Sequence, residues 1–438
     1  MTSRRIAEPV QLAYADSIVE NRLRARLLGD LSFSGHDTAY ASHNTHAFAA
    51  KFPPQLPRTF IEELTEPGQI VLDPMAGSGT AIVEAALCGR VGIGADLDPL
   101  AASICAAKTT FLDPDVVNAL AEEVTDYARL VLATATSDHH ETVLNGFDEQ
   151  SRDFLEYWFE PQTIDELNAL RRAIETFTNH AYRRLFDIVF SAIIVTKSGG
   201  VSLARDLAHS RPHKVSDKRI KNAIDVFKEK LDKSARTLNG VAEWPGSARV
   251  LRSDSRRLPL RDESVDLIVT SPPYANAIDY MRAHKFSLVW LGYPIDTLSD
   301  FRRNYIGAEL RIEDDDSKLG ETGKATMKAL RLVDNKRAGV IARYFRDMFA
   351  ALAEMYRVLR KGRPAVVVVG SSTVRGTEVP TAVILAEIGE RLGFRLIGVK
   401  DRDIDRNRRL MPISHRSHRT GIEARIHGEQ VIGFLRGR

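Results

Sequence analysis

A glycine-rich turn between an apolar run and a helical segment constrains the fold of this 438-residue chain more than any other feature. Residues 69–72 form a short apolar run after the turn residues Pro67 and Gly68, and residues 81–87 have helical composition. Between them lies Asp73-Pro-Met-Ala-Gly-Ser-Gly-Thr80. Its glycines permit a sharp bend and let a ligand contact backbone that no Cβ covers. The pattern predicts a strand, a ligand-binding turn and a helix, as in a nucleotide-binding α/β unit.

The next predicted strand, residues 91–95, ends in the sequence Asp96-Leu-Asp-Pro99. The region lacks both the G-x-G-x-x-G fingerprint and the lysine of a phosphate loop, which argues against a site for a dinucleotide phosphate. A carboxylate at the tip of the second strand of such a unit is placed to accept both ribose hydroxyls of a nucleoside, and we assign this role to Asp96. The alternative is that Asp96 and Asp98 only cap the helix that begins near Pro99.

A second motif, Ser271-Pro-Pro-Tyr274, follows a predicted buried strand at residues 265–270. Consecutive prolines fix φ and lack amide hydrogens, so their carbonyl oxygens point in a set direction. An exocyclic amine on a nucleobase is a poor nucleophile because its lone pair is delocalised, and acceptors aimed at its hydrogens can counter this. We predict that the Ser271 hydroxyl and the Pro272 carbonyl are these acceptors and that Tyr274 stacks on the base. The alternative is a strand-terminating turn with a surface tyrosine.

Together the two motifs resemble those of the S-adenosylmethionine-dependent DNA amino-methyltransferases, with cofactor loop D-P-x-x-G-S-G-T and catalytic loop D/N/S-P-P-Y/F/W. Serine at the first position of the catalytic loop is similar to the cytosine-N4 branch, whereas aspartate is typical of the adenine-N6 branch. The resemblance implies a Rossmann-like class I methyltransferase fold, α/β with a mostly parallel seven-stranded sheet and a helical insertion subdomain. It also implies S-adenosyl-L-methionine as cofactor, a flipped base in double-stranded DNA as substrate and no metal. A cognate restriction endonuclease fits as a partner, and the oligomeric state stays open.

The resemblance also assigns roles to individual residues. The segment 46–54 is similar to the one that folds over the methionine end of the cofactor, and residues 278–282 are similar to a helix that lines the pocket. Asp254 would accept from the adenine amine. The implied catalytic residues are Ser271, Pro272, Pro273 and Tyr274. The implied cofactor-binding residues are Lys51, Phe52, Pro53, Asp73, Pro74, Met75, Ala76, Gly77, Ser78, Gly79, Thr80, Asp96 and Asp254.

The order of the motifs places cofactor binding before catalysis, so we expect target recognition to come from insertions. We predict that residues 1–110 and 248–438 form the cofactor half and the catalytic half of the methyltransferase domain. Residues 111–247, with helical periodicity at 116–135, 149–159, 161–178 and 215–238, form a helical insertion for DNA recognition. A second insertion, 294–337, is polar; we expect an uncompacted lid or substrate-contacting loop whose acidic run 313–316 is a solvated turn.

Two basic segments are predicted to contact DNA phosphates. The first spans residues 197–221 and includes Lys218; the second spans residues 402–419, between candidate strands at 394–399 and 430–434, and includes Arg402. Ordinary solvated charge is the alternative for both segments. The predicted DNA-binding residues are Lys197, Arg205, Arg211, Lys214, Arg406, Arg408, Arg409 and Arg416.

Composition agrees with these assignments. The net charge is only +3, so basicity is local, as suits an enzyme that must release its DNA. Cys88 and Cys105, the two cysteines, lie in apolar helical contexts, which predicts packing roles and argues against a zinc cluster and against secretion. No apolar run reaches membrane-spanning length, and we predict a cytoplasmic protein.

Three other functions stay open from the sequence alone. The first is adenine-N6 methylation of DNA, since the first residue of the catalytic loop correlates with base choice but does not enforce it. The second is an RNA guanine-N2 methyltransferase, although such enzymes usually carry an RNA-binding domain ahead of the catalytic one. The third is a non-catalytic DNA-binding protein that keeps a relic cofactor fold, against which the intact loop 271–274 argues.

Overall fold

The computed structural model describes residues 7–48, 51–196, 200–205, 212–238, 244–275, 280–308, 315–370, 372–404 and 428–437. The strands are β1 (Ile70–Asp73), β2 (Val91–Asp96), β3 (Ala204–Arg205), β4 (His213–Lys214), β5 (Ser247–Arg252), β6 (Leu267–Thr270), β7 (Pro364–Gly370), β8 (Ser372–Val374), β9 (Thr377–Val379), β10 (Phe394–Asp403) and β11 (Gly428–Arg436). The helices are α1 (Ala7–Leu28), α2 (Gln55–Leu64), α3 (Thr80–Leu87), α4 (Pro99–Lys108), α5 (Pro114–Ala133), α6 (His139–Leu144), α7 (Glu149–Trp158), α8 (Pro161–Glu175), α9 (His180–Ile194), α10 (Ala223–Leu238), α11 (Met281–Leu288), α12 (Ile295–Asn304), α13 (Glu321–Val358) and α14 (Thr381–Arg391).

Seven strands form one sheet in the order β10, β11, β7, β6, β1, β2, β5. The five strands from β7 to β5 are parallel, and β11 runs antiparallel to both β7 and β10. The strands β2 and β5 lie on one side of β1, whereas the later strands β6 and β7 lie on its other side, so β1 is a topological switch point. Ligands of open α/β sheets bind at the carboxyl ends of the strands beside such a point. The predicted α/β fold class, a class I methyltransferase sheet with helices, is confirmed.

Helices cover both faces of the sheet, as an all-buried run of valines in β7 requires. Val367 and Val369 face a core that includes α13 and α14. Val366 and Val368 face the opposite core with α1 and α2. Because side chains alternate along a strand, one continuous apolar run serves two separate cores.

The region between β2 and β5 is helical, as predicted, and includes α9, which the periodicity did not predict. Its hydrophobic core is continuous with α4 and α11, through Ile104, Phe286 and Trp290 among others. The helical insertion therefore packs on α4 and α11 through a shared core. Its boundaries as a recognition subdomain, 111–247, and those of the two halves stay a prediction.

The expectation of an uncompacted loop at 294–337 is wrong. Residues 295–304 form α12, and α13 begins at Glu321, with Met327 and Leu330 buried against α14. Asp316 pairs with Arg331 at 2.7 Å and 2.8 Å, so part of the acidic run is structured and ion-paired. Polar composition misled here because paired charges and a narrow apolar stripe suffice for a docked helix. None of the helices in the described ranges is long and apolar enough to cross a membrane.

Candidate active site

The two sequence motifs meet in one cleft at the carboxyl ends of β1, β2, β5 and β6. The strands β1 and β6 are parallel neighbours, so the loops that follow them emerge at the same edge of the sheet. The predicted residues that line the cleft are Lys51, Phe52, Asp73, Pro74, Met75, Ala76, Gly77, Ser78, Thr80, Asp96, Asp254, Ser271 and Pro273. The others, Pro53, Gly79, Pro272 and Tyr274, lie in the same segments but not on its lining.

The turn between β1 and α3 depends on two glycines. Gly77 has φ +50°, and a Cβ there would lie 3.0 Å from a ring carbon of Phe48. Gly79 has φ +77°, and a Cβ there would lie 2.5 Å from the Sγ of Cys105. Other residues rarely adopt such φ values, and no space exists for their side chains. Cys105 is buried and Cys88 is half-buried at the edge of a core, so both cysteines pack as predicted.

Two buried hydroxyls lie at the end of this turn. Ser78 Oγ and Thr80 Oγ1 are buried, and neither bonds to any group in the described part of the chain. A buried polar atom without a hydrogen bond costs about 1–3 kcal/mol. Because both residues line the cleft, their hydroxyls and the amino end of α3 suit a polar ligand there.

Asp96 and Asp98 have different roles, which separates the two alternatives of the sequence analysis. Asp98 caps α4 by accepting from the amides of Leu100 at 2.8 Å and Ala101 at 3.1 Å. Asp96 does not cap the helix; it accepts from the amides of Gly77 at 2.8 Å and Asp98 at 2.9 Å. Burial raises the pKa of Asp96 to about 6. Its carboxylate thus joins the glycine-rich turn to the end of β2 and faces the cleft.

Asp254 is held by an arginine that the sequence analysis did not single out. Arg256 donates Nε to Oδ1 at 2.9 Å and Nη2 to Oδ2 at 2.7 Å. The same guanidinium donates to the carbonyl of Asn304 at 2.7 Å and pairs with Asp347 at 3.2 Å. Such a two-point pairing fixes the plane of the Asp254 carboxylate in the cleft wall. Only the closeness of Arg256 to Asp254 in the sequence could have indicated this pairing.

Tyr274 is buried, so the alternative of a surface tyrosine is wrong. The side chain is 6% exposed, and its hydroxyl donates to Oε1 of Glu429. Ser271 and Pro273, by contrast, reach the cleft. The roles of these residues toward a base stay predictions.

Aromatic side chains complete the wall of the cleft. Phe48 and Tyr280 stack with ring centroids 5.3 Å apart and planes inclined by 22°. Both lie in segments that the sequence analysis assigned to the pocket. Tyr305 also lines the cleft and directly follows α12, in the insertion expected to contact substrate. An aromatic residue after a polar helix is too weak a pattern to identify from sequence.

Most of the predicted DNA contacts lie outside the described residues: Lys197, Arg211, Arg406, Arg408, Arg409 and Arg416. Arg205 and Lys214 are described and exposed, on the antiparallel pair β3 and β4. Lys214 Nζ lies 4.6 Å from the ring centroid of Tyr157, a cation–π contact.

The expectation of a DNA-facing cation is wrong for Lys218 and Arg402. Lys218 Nζ donates to the carbonyls of Gly200 at 2.8 Å and Ser202 at 2.6 Å. Arg402 is 6% exposed, pairs with Glu429 and donates to the carbonyl of Leu31 at 2.9 Å. Both cations satisfy internal acceptors, which local sequence cannot indicate.

Comparison with known proteins agrees with the geometry. Residues 31–106 match the model of the DNA methylase family N6_N4_Mtase. The Type II methyltransferase M.MvaI of Kocuria varians is 24% identical over 383 residues, which cover 82% of this chain and 83% of that protein. M.BsoBI of Geobacillus stearothermophilus, also a Type II methyltransferase, is 22% identical over 417 residues, covering 82% and 79%. The solved structure of a TehB-like SAM-dependent methyltransferase from Corynebacterium glutamicum aligns with a TM-score of 0.27 and 11% identity, covering 87% and 86%.

Proposed function

We propose that the chain, which is similar to DNA amino-methyltransferases, methylates cytosine at N4 in a specific site of double-stranded DNA, with S-adenosyl-L-methionine as the donor. The observation that carries the proposal is the single cleft shared by Ser271 and the turn from Asp73 to Thr80. A group-transfer enzyme must hold donor and acceptor side by side, and proximity and orientation supply much of the rate.

The cleft fits this donor. The buried hydroxyls of Ser78 and Thr80 have no partner among the described residues, and with the glycine-rich backbone they suit its amino-acid end, together with Lys51 and Asp73. Asp96 would accept from the ribose hydroxyls and Asp254, held by Arg256, from the adenine amine. When bound, S-adenosyl-L-methionine supplies a methyl group activated by its sulfonium.

The loop after β6 would hold the target amine. The Ser271 hydroxyl makes no hydrogen bond within the described part of the chain and faces the cleft, so it is available as an acceptor. The Pro272 carbonyl would be the second acceptor, with Pro273 stiffening the loop and Tyr274 stacking on the base. Acceptors preorganised in this way stabilise the charge that develops on the attacking nitrogen. The base must leave the helix, because pairing otherwise engages its amine.

The duplex would lie between the sheet and the helical insertion. Arg205 and Lys214 are exposed on the insertion, as phosphate contacts require. The other predicted cations, in segments 197–211 and 406–416, are proposed for the same role. A cognate restriction endonuclease would cut the same site, and methylation would protect the host DNA.

The test is a nucleoside analysis. The purified protein is incubated with S-adenosyl-L-methionine and unmethylated duplex DNA, the DNA is digested, and the nucleosides are separated by mass. The expected product is deoxycytidine heavier by one methyl group, absent with Ser271→Ala. Methylated deoxyadenosine would instead establish adenine-N6 methylation, for which the same loop also serves.

Parallel reactions separate the remaining functions. Labelled methyl groups should enter duplex DNA and not transfer RNA; the reverse result would support an RNA guanine-N2 methyltransferase. Cofactor binding without product on either nucleic acid would support a non-catalytic relic. Sequencing that detects modified bases in cells expressing the protein then gives the recognised site.

A further inference from the structure

The catalytic-loop tyrosine is connected to the far edge of the sheet by a buried polar chain. Tyr274 donates its hydroxyl to Oε1 of Glu429, and Oε2 of Glu429 accepts from Nη1 of Arg402. The three residues are 6%, 8% and 6% exposed, respectively. Arg402 is itself fixed by the carbonyl of Leu31 at 2.9 Å. The tyrosine hydroxyl therefore meets an acceptor whose own position is held by an ion pair.

The residue paired with Glu429 in the sheet also limits the space for the Tyr274 ring. Glu429 in β11 is the register partner of Gly370 in β7. A Cβ on Gly370 would lie 2.3 Å from Cε2 and 2.6 Å from Cδ2 of Tyr274. Glycine is thus required for the ring to lie against the strand. Contact along the ring edge and a hydrogen bond at the hydroxyl together restrict rotation about both side-chain torsions.

A buried tyrosine hydroxyl requires one hydrogen-bond acceptor, and burying a neutral acceptor costs less desolvation free energy than burying a charged one. Burying a carboxylate carries a large desolvation cost that an arginine partner offsets only with good geometry. What a charged acceptor adds is a shorter and more directional hydrogen bond. Satisfying the buried hydroxyl of Tyr274 therefore does not by itself explain why the acceptor is Glu429 paired with Arg402.

We propose that Glu429 is a positioning residue that sets the orientation of the Tyr274 ring, with Arg402 holding the Glu429 carboxylate. This inference rests on the proposed function, in which Tyr274 stacks on the extruded base. An aromatic ring that stacks on a base binds it best when the ring is already fixed in orientation. Ordering the ring on binding costs conformational entropy and so reduces the free energy gained from stacking.

The experiment is a double-mutant cycle on kcat with Tyr274→Phe, Glu429→Gln and the double variant. Methyl transfer to unmethylated DNA is measured at saturating cofactor and DNA, and the Kd for S-adenosyl-L-methionine is measured by calorimetry. Each single variant should lower kcat about tenfold, the effect expected from losing a hydrogen bond to a charged group, with the cofactor Kd unchanged. The double variant should be no slower than Glu429→Gln alone, because the two changes remove one interaction.

Tyr344→Phe is the matched control. It removes a hydroxyl from an equally buried ring in α13 whose oxygen has no hydrogen-bond partner within the described ranges, so kcat should not change. Thermal melts confirm that each variant is folded. If Glu429→Gln does not fold, Tyr274→Phe decides alone, since it leaves the pair of Glu429 and Arg402 intact.

Wild-type kcat in Tyr274→Phe, or effects of the two changes that simply multiply, would overturn the positioning role. A wild-type protein that methylates no DNA would refute the proposed function instead. The two failures are therefore distinguishable in the same set of measurements.

Discussion

The hydroxyl of Thr270 donates a hydrogen bond to Oδ1 of Asp73 across 2.6 Å, joining the last residue of β6 to the last residue of β1. Each of these residues immediately precedes one of the two loops that form the cleft. The bond is buried, with Thr270 fully inaccessible and Asp73 at 2% exposure. It therefore sets the position of Ser271 relative to the glycine-rich turn.

Asp73→Asn should flatten the pH dependence of stability. Burial, only partly offset by the hydrogen bond from Thr270, raises the pKa of Asp73 from 3.8 to about 7. A raised pKa means that the folded state keeps a proton which the unfolded state releases. The associated stability is complete below about pH 4 and is lost as pH rises through 7. Between about pH 4 and 7, the urea midpoint of the wild type should fall with rising pH relative to that of Asp73→Asn. Parallel plots of midpoint against pH for the two proteins would contradict the raised pKa of Asp73.

Asp96→Ala and Asp98→Ala should have separable effects. Asp96 faces the cleft, so its loss should raise the Kd for S-adenosyl-L-methionine about tenfold or more. Asp98 caps α4 and contacts Nδ1 of His284 at 2.6 Å, so its loss should lower the free energy of unfolding by about 1–3 kcal/mol. Calorimetry and urea denaturation measure the two quantities. Unchanged affinity in Asp96→Ala would exclude the ribose role.

Ser78→Ala and Thr80→Val should weaken cofactor binding without lowering the stability of the ligand-free protein. Their hydroxyls are buried without partners within the described ranges, so removing them costs no internal hydrogen bond. If each bonds the cofactor, its loss should raise Kd roughly 2- to 10-fold. Thr125→Val is the contrast, because that buried hydroxyl donates to the carbonyl of Ala121 at 3.0 Å and Thr125 is not among the residues that line the cleft. Reduced stability in the first two variants, with unchanged Kd, would refute this prediction.

Gly370→Ala should lower kcat and leave the cofactor Kd unchanged. The added methyl group would overlap the Tyr274 ring and displace it, and overpacking of this kind costs about 1–3 kcal/mol. Gly398→Ala, in β10 of the same sheet, is the matched control, because among the described residues its Cβ would meet only Leu27, at an ordinary 3.4 Å. Rates of methyl transfer at saturating substrates decide the result. Equal rates in the two variants would show that the ring tolerates displacement.

The sequence by itself determined the local units of this protein. The turn from Asp73 to Thr80, the strand before Ser271 and the carboxylate at the end of β2 follow from residue types within a few positions of one another. Glycine conformations, proline geometry and apolar periodicity are properties of neighbouring residues, so pattern alone predicts them. The fold class and the motif residues on the cleft lining followed from these units, whereas Arg256 and Tyr305 did not.

The tertiary structure decided which polar side chains meet. Tyr274 and Glu429 are 155 residues apart, and their contact depends on the order of β7, β11 and β10 in the sheet. The same reason explains why Lys218 and Arg402 serve internal acceptors and why Asp96 binds the glycine-rich turn while Asp98 caps α4. Burial and hydrogen-bond partners arise from elements distant in sequence, and a local pattern carries no information about them.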